Sequence, residues 1–179
     1  MALLKEKMLK VHMFITFGVT DPHQRQQYLS QYGCCKWTPR AVQLIKDLTL
    51  PLLEIGAGAG LWQKELSNNG IDIKAYDDRS NESLPGNGGT VHVGGIEQIN
   101  IHSNRTLFLC YPPEGTMALD CLKEYTNGEY LIYIGEGRQG VNGSNAFFDV
   151  LEKEWNVVHV DKLDPFPQCF ERLYILKRK

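Results

Sequence analysis

The stretch Pro51-Leu-Leu-Glu-Ile-Gly-Ala-Gly-Ala-Gly60 joins a short apolar run to three alternate glycines, at 56, 58 and 60. Glycine reaches backbone conformations closed to other residues and lets the main chain approach whatever lies against it. Leu52, Leu53 and Ile55 read as a buried strand, and residues 61–68, stopped by Gly70, as the helix that follows. Strand, glycine turn and helix form the opening unit of an open α/β sheet. In such sheets ligands sit at the carboxyl ends of the strands, where the strand order switches. The turn is therefore expected to face a ligand.

Working outward, Pro22 opens a short helix, and Thr38-Pro39 opens a second over 40–48, whose Ala41, Leu44, Ile45 and Leu48 share one face. Downstream the chain alternates. Strands are expected over 71–76, 90–93, 105–111, 130–134, 157–160 and 172–176, and helices over 117–125 and 145–155; residues 79–89 read as loop. Crossovers of this length imply an α/β fold, a mostly parallel sheet with helices on both faces. Residues 161–168, with Pro165 and Pro167, leave no room for a helix, so the last two strands should pair antiparallel. The expectation is one domain over 1–179, with an N-terminal helical extension over 1–35 and no internal repeat.

Composition narrows the classes. The chain has 179 residues, 42% hydrophobic and 22% charged, with a formal net charge of −2. These are ordinary globular values, and the charge argues against a protein dominated by phosphate-backbone binding. Five cysteines, two of them adjacent as Cys34-Cys35, do not form a disulfide framework and point to a reducing, cytoplasmic compartment. No run approaches the roughly 20 apolar residues of a membrane span. The five histidines show no metal-ligand spacing with the cysteines, so no metal is expected.

The glycines distinguish two cofactor patterns. A dinucleotide fingerprint, G-x-G-x-x-G, is met at Gly56 and Gly58 but has Leu61 in its third place. The other pattern is an acid two residues before the first glycine, then alternate glycines: Glu54-Ile-Gly56-Ala57-Gly58-Ala-Gly60. This resembles motif I of the class I S-adenosylmethionine-dependent methyltransferases. The resemblance implies the Rossmann-like methyltransferase fold and S-adenosylmethionine as cofactor, held by Glu54, Gly56, Ala57, Gly58 and Gly60. Asp77-Asp78 follow at the end of the next strand, where a carboxylate accepts from ribose hydroxyls. The plainer alternative is a tight turn with Asp77 as a helix cap.

Leu109-Cys-Tyr-Pro-Pro-Glu114 resembles motif IV of the amino-methyltransferases, Asn/Asp-Pro-Pro-aromatic. Paired prolines fix φ and turn the preceding carbonyls toward the pocket. Here Tyr111 stands in the Asn/Asp place and Glu114 in the aromatic place. The alternative is a plain strand terminus. Gly33-Cys-Cys-Lys-Trp-Thr-Pro39 resembles motif X, although Thr38 reads equally as an N-cap. Cys110 and Thr38 join the cofactor contacts so implied. Tyr-Pro-Pro, with Ile134-Gly-Glu-Gly137 and Asn145-Ala-Phe-Phe148, is also similar to a group of methyltransferase-like proteins with an aromatic before Pro-Pro, which implies the fold and cofactor but no substrate. Glu97 is an adenine contact by the resemblance and an exposed loop acid by its setting. Glu136 is a base or a structural acceptor.

The resulting expectation is methyl transfer to an unidentified acceptor, a small molecule or protein rather than DNA. Tyr111 would stack on the acceptor or the cofactor, with Glu114 or Glu136 as base for an acceptor that must lose a proton. Two alternatives stand beside it: a non-catalytic cofactor-binding subunit, and a nucleic-acid amino-methyltransferase with a divergent motif IV, for which Lys36, Arg40 and Lys46 would give a local basic face.

Overall fold

A computed structural model of the protein describes residues 22–79 and 88–179; the segment before residue 22 and most of the loop expected over 79–89 lie outside the described residues. In chain order the elements are α1 (Pro22–Tyr32), α2 (Pro39–Asp47), β1 (Leu52–Ile55), α3 (Leu61–Asn68), β2 (Ile73–Asp77), β3 (His92–Val93), α4 (Gln98–Ile101), β4 (Thr106–Cys110), α5 (Met117–Glu124), β5 (Tyr130–Gly135), α6 (Asn145–Glu154), β6 (Trp155–Lys162) and β7 (Arg172–Arg178). They form a seven-stranded sheet in the order β3-β2-β1-β4-β5-β7-β6. The first five strands in that order are parallel, and β7 runs antiparallel to both β5 and β6. The order reverses between β1 and β4, and so places the glycine turn at the switch point.

Strand side chains alternate between the two faces. Leu53, Ile55, Leu107, Leu109, Leu131 and Tyr133 pack under α5 and α6. Leu52, Phe108, Ile132 and Ile134 pack under α2 and α3 with Ala41, Ile45, Trp62 and Leu66. Apolar residues thus fill both faces, as a sheet covered on each side requires. None of the described helices is long and apolar enough to cross a membrane.

Several boundaries differ from the sequence expectation, each for a local reason. The strand expected from Ile71 starts at Ile73, because the Ile71 amide closes the end of α3 on the Leu66 carbonyl at 3.1 Å. The helix expected to include Trp155 ends at Glu154. Trp155 instead pairs with Arg178 in the sheet, its ring stacked on Tyr125 and faced by the Arg178 guanidinium at 4.3 Å. Strand β6 is therefore twice the expected length, with an irregularity between Val157 and His159. Strand β3 shrinks to two residues. Helix α4 is too short for a periodic signal and was not expected; it exists because Ile99 is buried in the core.

Helix α1 buries none of its residues fully. It is held from one side by aromatic contacts, Tyr28 on Phe166 at 5.3 Å and Tyr32 on Trp37 at 5.7 Å between centroids. Tyr28 donates to the Asp164 carbonyl and accepts from the Lys36 amide.

Candidate functional site

The turn after β1 is tied to the end of β2. The amides of Gly56 and Ala57 both donate to the Tyr76 carbonyl, at 2.9 and 3.0 Å. The Gly58 amide donates to Asp77 Oδ2 at 2.8 Å, and the Arg79 amide to Asp77 Oδ1 at 2.7 Å. Three amides that would cradle a pyrophosphate are therefore already engaged, which agrees with the departure from the dinucleotide pattern. Asp77 both closes the turn and lines the cleft above it.

The three glycines serve different needs. All have positive φ, 77°, 54° and 72° at Gly56, Gly58 and Gly60. A Cβ on Gly56 would stand 2.7 Å from Met117 Cε in the cleft. Gly60 is buried and caps α3, and a Cβ there would collide with Val91; it does not line the cleft.

The cleft has a volume of about 930 Å³. Its floor is Glu54, Ile55 and the turn residues Gly56, Ala57 and Gly58. One wall is Asp77, Asp78 and the segment from Val93 to Glu97; the other is Cys110, Tyr111, Pro113 and Met117. Leu29 and Tyr32 of α1, with Gly33 and Cys34 just after it, also line the cleft. Glu97 lines the cleft but its carboxylate accepts the Gly95 amide at 2.8 Å, so it also shapes its own turn and lies below the usual carboxylate range.

Glu54 is 2% exposed, and its Oε2 has no hydrogen-bond partner among the described residues. Burial, reinforced by the Asp77 charge, pushes its carboxyl up to about 8. A buried carboxylate left so is costly and is relieved by a donor or a cation. The Cys110 thiol is pushed well up by burial and then by Glu54.

Tyr111 has φ of 52°, a left-handed conformation uncommon outside glycine, and its amide donates to the Ile134 carbonyl at 2.7 Å. Burial raises its phenol, so near neutral pH it is a donor and not a base. The turn at Pro112 is fixed from behind. Asn142, 1% exposed, donates to the Pro112 carbonyl at 3.1 Å and accepts the Glu136 amide at 2.9 Å. Glu136 Oε2 in turn accepts the Val141 amide at 3.0 Å.

Of the residues singled out from sequence, Glu54, Gly56, Ala57, Gly58, Asp77, Asp78, Cys110 and Tyr111 meet at one cleft. Gly60, Thr38, Glu114 and Glu136 lie off its walls. Thr38 accepts the Ala41 amide at 3.1 Å, which realises its N-cap reading. Glu114 is exposed, and Glu136 is the structural acceptor of its loop. Sequence reasoning missed Asn142, which reads as an ordinary turn residue in Val-Asn-Gly-Ser. It also missed Glu171, 2% exposed with neither carboxylate oxygen hydrogen-bonded among the described residues, whose sole signal is an acid opening an apolar strand.

No protein-family model matches the sequence. No curated protein matches it. Solved structures do match the fold. Magnesium protoporphyrin IX methyltransferase from Synechocystis PCC 6803, with bound S-adenosylmethionine, is 13% identical with a TM-score of 0.51, over 78% of this chain and 76% of that one. A structure concerning the conversion of a disulfide bond into a thioacetal group during echinomycin biosynthesis is 12% identical with a TM-score of 0.51, over 80% and 83%. A point mutant of MtNAS in complex with S-adenosylmethionine is 15% identical with a TM-score of 0.53, over 78% of this chain and 62% of that one. Likeness at these identities is one of fold, and with the strand order above it establishes that this chain has the Rossmann-like methyltransferase fold.

Proposed function

We propose that the chain binds S-adenosylmethionine in this cleft and transfers its methyl group to an acceptor. The carrying observation is the locked turn beside a buried acid: Asp77 holds Gly58, and Glu54, its Oε2 unpartnered among the described residues, stands at the floor. Those residues fit the cofactor. Glu54 suits a cationic amino group, and Gly56 leaves the floor without the Cβ that Met117 would meet. Asp77 and Asp78 suit ribose hydroxyls, and Val93 and Ile96 give an apolar seat for a flat base. The ligands bound in two of the fold neighbours support the same reading.

The cofactor, when bound, supplies an electrophilic methyl on a sulfonium centre. The chain's part is positioning and exclusion of water, which supply most of the rate in such a displacement. Leu29 and Tyr32 cover the cleft from α1, and Tyr111 and Pro113 bound its acceptor end. Tyr111 presents a phenol where amino-methyltransferases have an Asn or Asp, and the net charge is −2. Both favour a small molecule or a protein side chain over DNA. A base at Glu114 or Glu136 would serve an acceptor that extends past the cleft wall. The five free cysteines support a reducing, cytoplasmic setting.

Calorimetry tests the cofactor. Wild type should bind S-adenosylhomocysteine with micromolar affinity, on the order of −8 kcal/mol. Gly58→Val should abolish binding, since φ of 54° strains a β-branched residue there. A folded wild type that does not bind defeats the proposal. Labelled cofactor offered to small-molecule, protein and nucleic-acid pools then reads the acceptor. Binding without transfer to any pool favours the non-catalytic module, and labelled DNA the divergent amino-methyltransferase.

A further inference from the structure

A second buried acid lies behind the acceptor end of the cleft. In the β5–β7 pairing Gly135 stands opposite Arg172, so Glu171, one residue earlier, is level with Glu136 at the carboxyl ends of the parallel strands. The Tyr111 amide bonds to Ile134 at that same edge. The Glu171 charge bears on the Tyr111 phenol and on the thiols of Cys34 and Cys110, all three on the cleft wall. Glu171 is 2% exposed, and among the described residues no donor meets either carboxylate oxygen at bonding geometry. Burial raises its carboxyl and Glu136 raises it further; its own amide and the Arg25 guanidinium ease the charge. Arg25 belongs to α1, and its guanidinium lies over the Phe166 ring at 4.8 Å. A buried carboxyl without a hydrogen-bonded partner costs more than an apolar side chain of similar volume would.

We propose that Glu171 recognises the methyl acceptor, that the acceptor carries a basic nitrogen, and that this amine takes up the Glu171 carboxylate on which Arg25 of α1 now bears. The inference rests on the methyl-transfer reading for what adjoins the amine, but amine binding is measured by itself. Helix α1 has no fully buried residue, so it gives way without opening the core. Arg25 then acts as an internal stand-in for the ligand, and its departure couples acceptor entry to movement of the cover over the cleft.

Ligand-observed NMR titrations of butylammonium and its neutral isostere, n-butanol, test this on the full chain, with and without saturating S-adenosylhomocysteine. Butylammonium should bind at least about tenfold more tightly than butanol, the worth of one hydrogen bond to a charged group. Glu171→Gln should abolish that preference and leave S-adenosylhomocysteine affinity unchanged. Arg25→Ala should strengthen butylammonium binding severalfold, and this variant still decides the matter if Glu171→Gln fails to fold. Equal binding of the two probes, a preference surviving in folded Glu171→Gln, or no gain in Arg25→Ala overturns the proposal. Amine binding by a protein that does not take S-adenosylhomocysteine sinks the cofactor reading and leaves the Glu171 subsite standing.

Discussion

Replacing Asp77 by alanine removes the tie between β2 and the glycine turn, and the structure sets the size of the effect. The carboxylate accepts two amide hydrogen bonds, from Gly58 at 2.8 Å and Arg79 at 2.7 Å. A hydrogen bond to a charged group contributes about 1.5–3 kcal/mol net. The Arg79 bond is solvent-exposed and adds little, so the Gly58 bond dominates and Asp77→Ala should destabilise by about 2 kcal/mol. In a domain of this size that lowers Tm by roughly 4–8 °C. If the same carboxylate also accepts from ribose hydroxyls, S-adenosylhomocysteine affinity should fall by a further ~1.5–3 kcal/mol, roughly 10- to 150-fold. Asparagine separates the contributions, because its one carbonyl oxygen accepts from one amide while its NH2 faces the other. Asp77→Asn should therefore melt between wild type and alanine, and amide exchange at Gly58 should quicken in the order wild type, Asn, Ala. Asp78→Ala is the control for a ribose contact shifted by one residue. An Asp77→Ala protein with wild-type Tm and wild-type ligand affinity would refute both the tie and the assignment.

Glu54 predicts a pH dependence. Its carboxyl is raised from 4.5 to about 8 in the folded chain, so the native state holds a proton that the unfolded chain releases. Stability is complete below about 4.5 and declines as pH rises through about 8, by the order of a few kcal/mol. Urea midpoints should fall over that window in wild type and much less in Glu54→Gln, while Glu54→Gln should also weaken S-adenosylhomocysteine binding. Binding of a cationic group beside Glu54 should release a proton, seen as a buffer-dependent calorimetric enthalpy. Asn142→Ala leaves the buried Pro112 carbonyl without a partner, at about 1–3 kcal/mol, and the part-buried Glu136 amide without one at a smaller cost. Its urea midpoint should drop accordingly, and Asn142→Asp, which still accepts from Glu136 but cannot donate to Pro112, should fall between.

The sequence by itself determined the layered fold and one half of the site. Leu52, Leu53 and Ile55 against Leu107 and Leu109 are patterned for strands buried on both faces. Glu54 with the alternate glycines needs only neighbours in the chain to read, because a turn of positive-φ residues is a local object. The brevity of 161–168 likewise dictated an antiparallel last pair before any contact was known. What only the tertiary structure decided are relations between residues far apart in sequence. Thr38 has the same local context whether or not its hydroxyl caps a helix, and only the folded chain shows that it accepts the Ala41 amide. Asp77 is an acid after a strand in either reading, and the Gly58 amide, 19 residues away, shows that it also builds the turn. Trp155 belongs to a helix by periodicity, yet burial against Tyr125 and pairing with Arg178 outweigh that preference. Asn142 and Glu171 carry no motif at all: their meaning lies in burial and in what does or does not meet their polar atoms, quantities that exist only once the chain has closed around them.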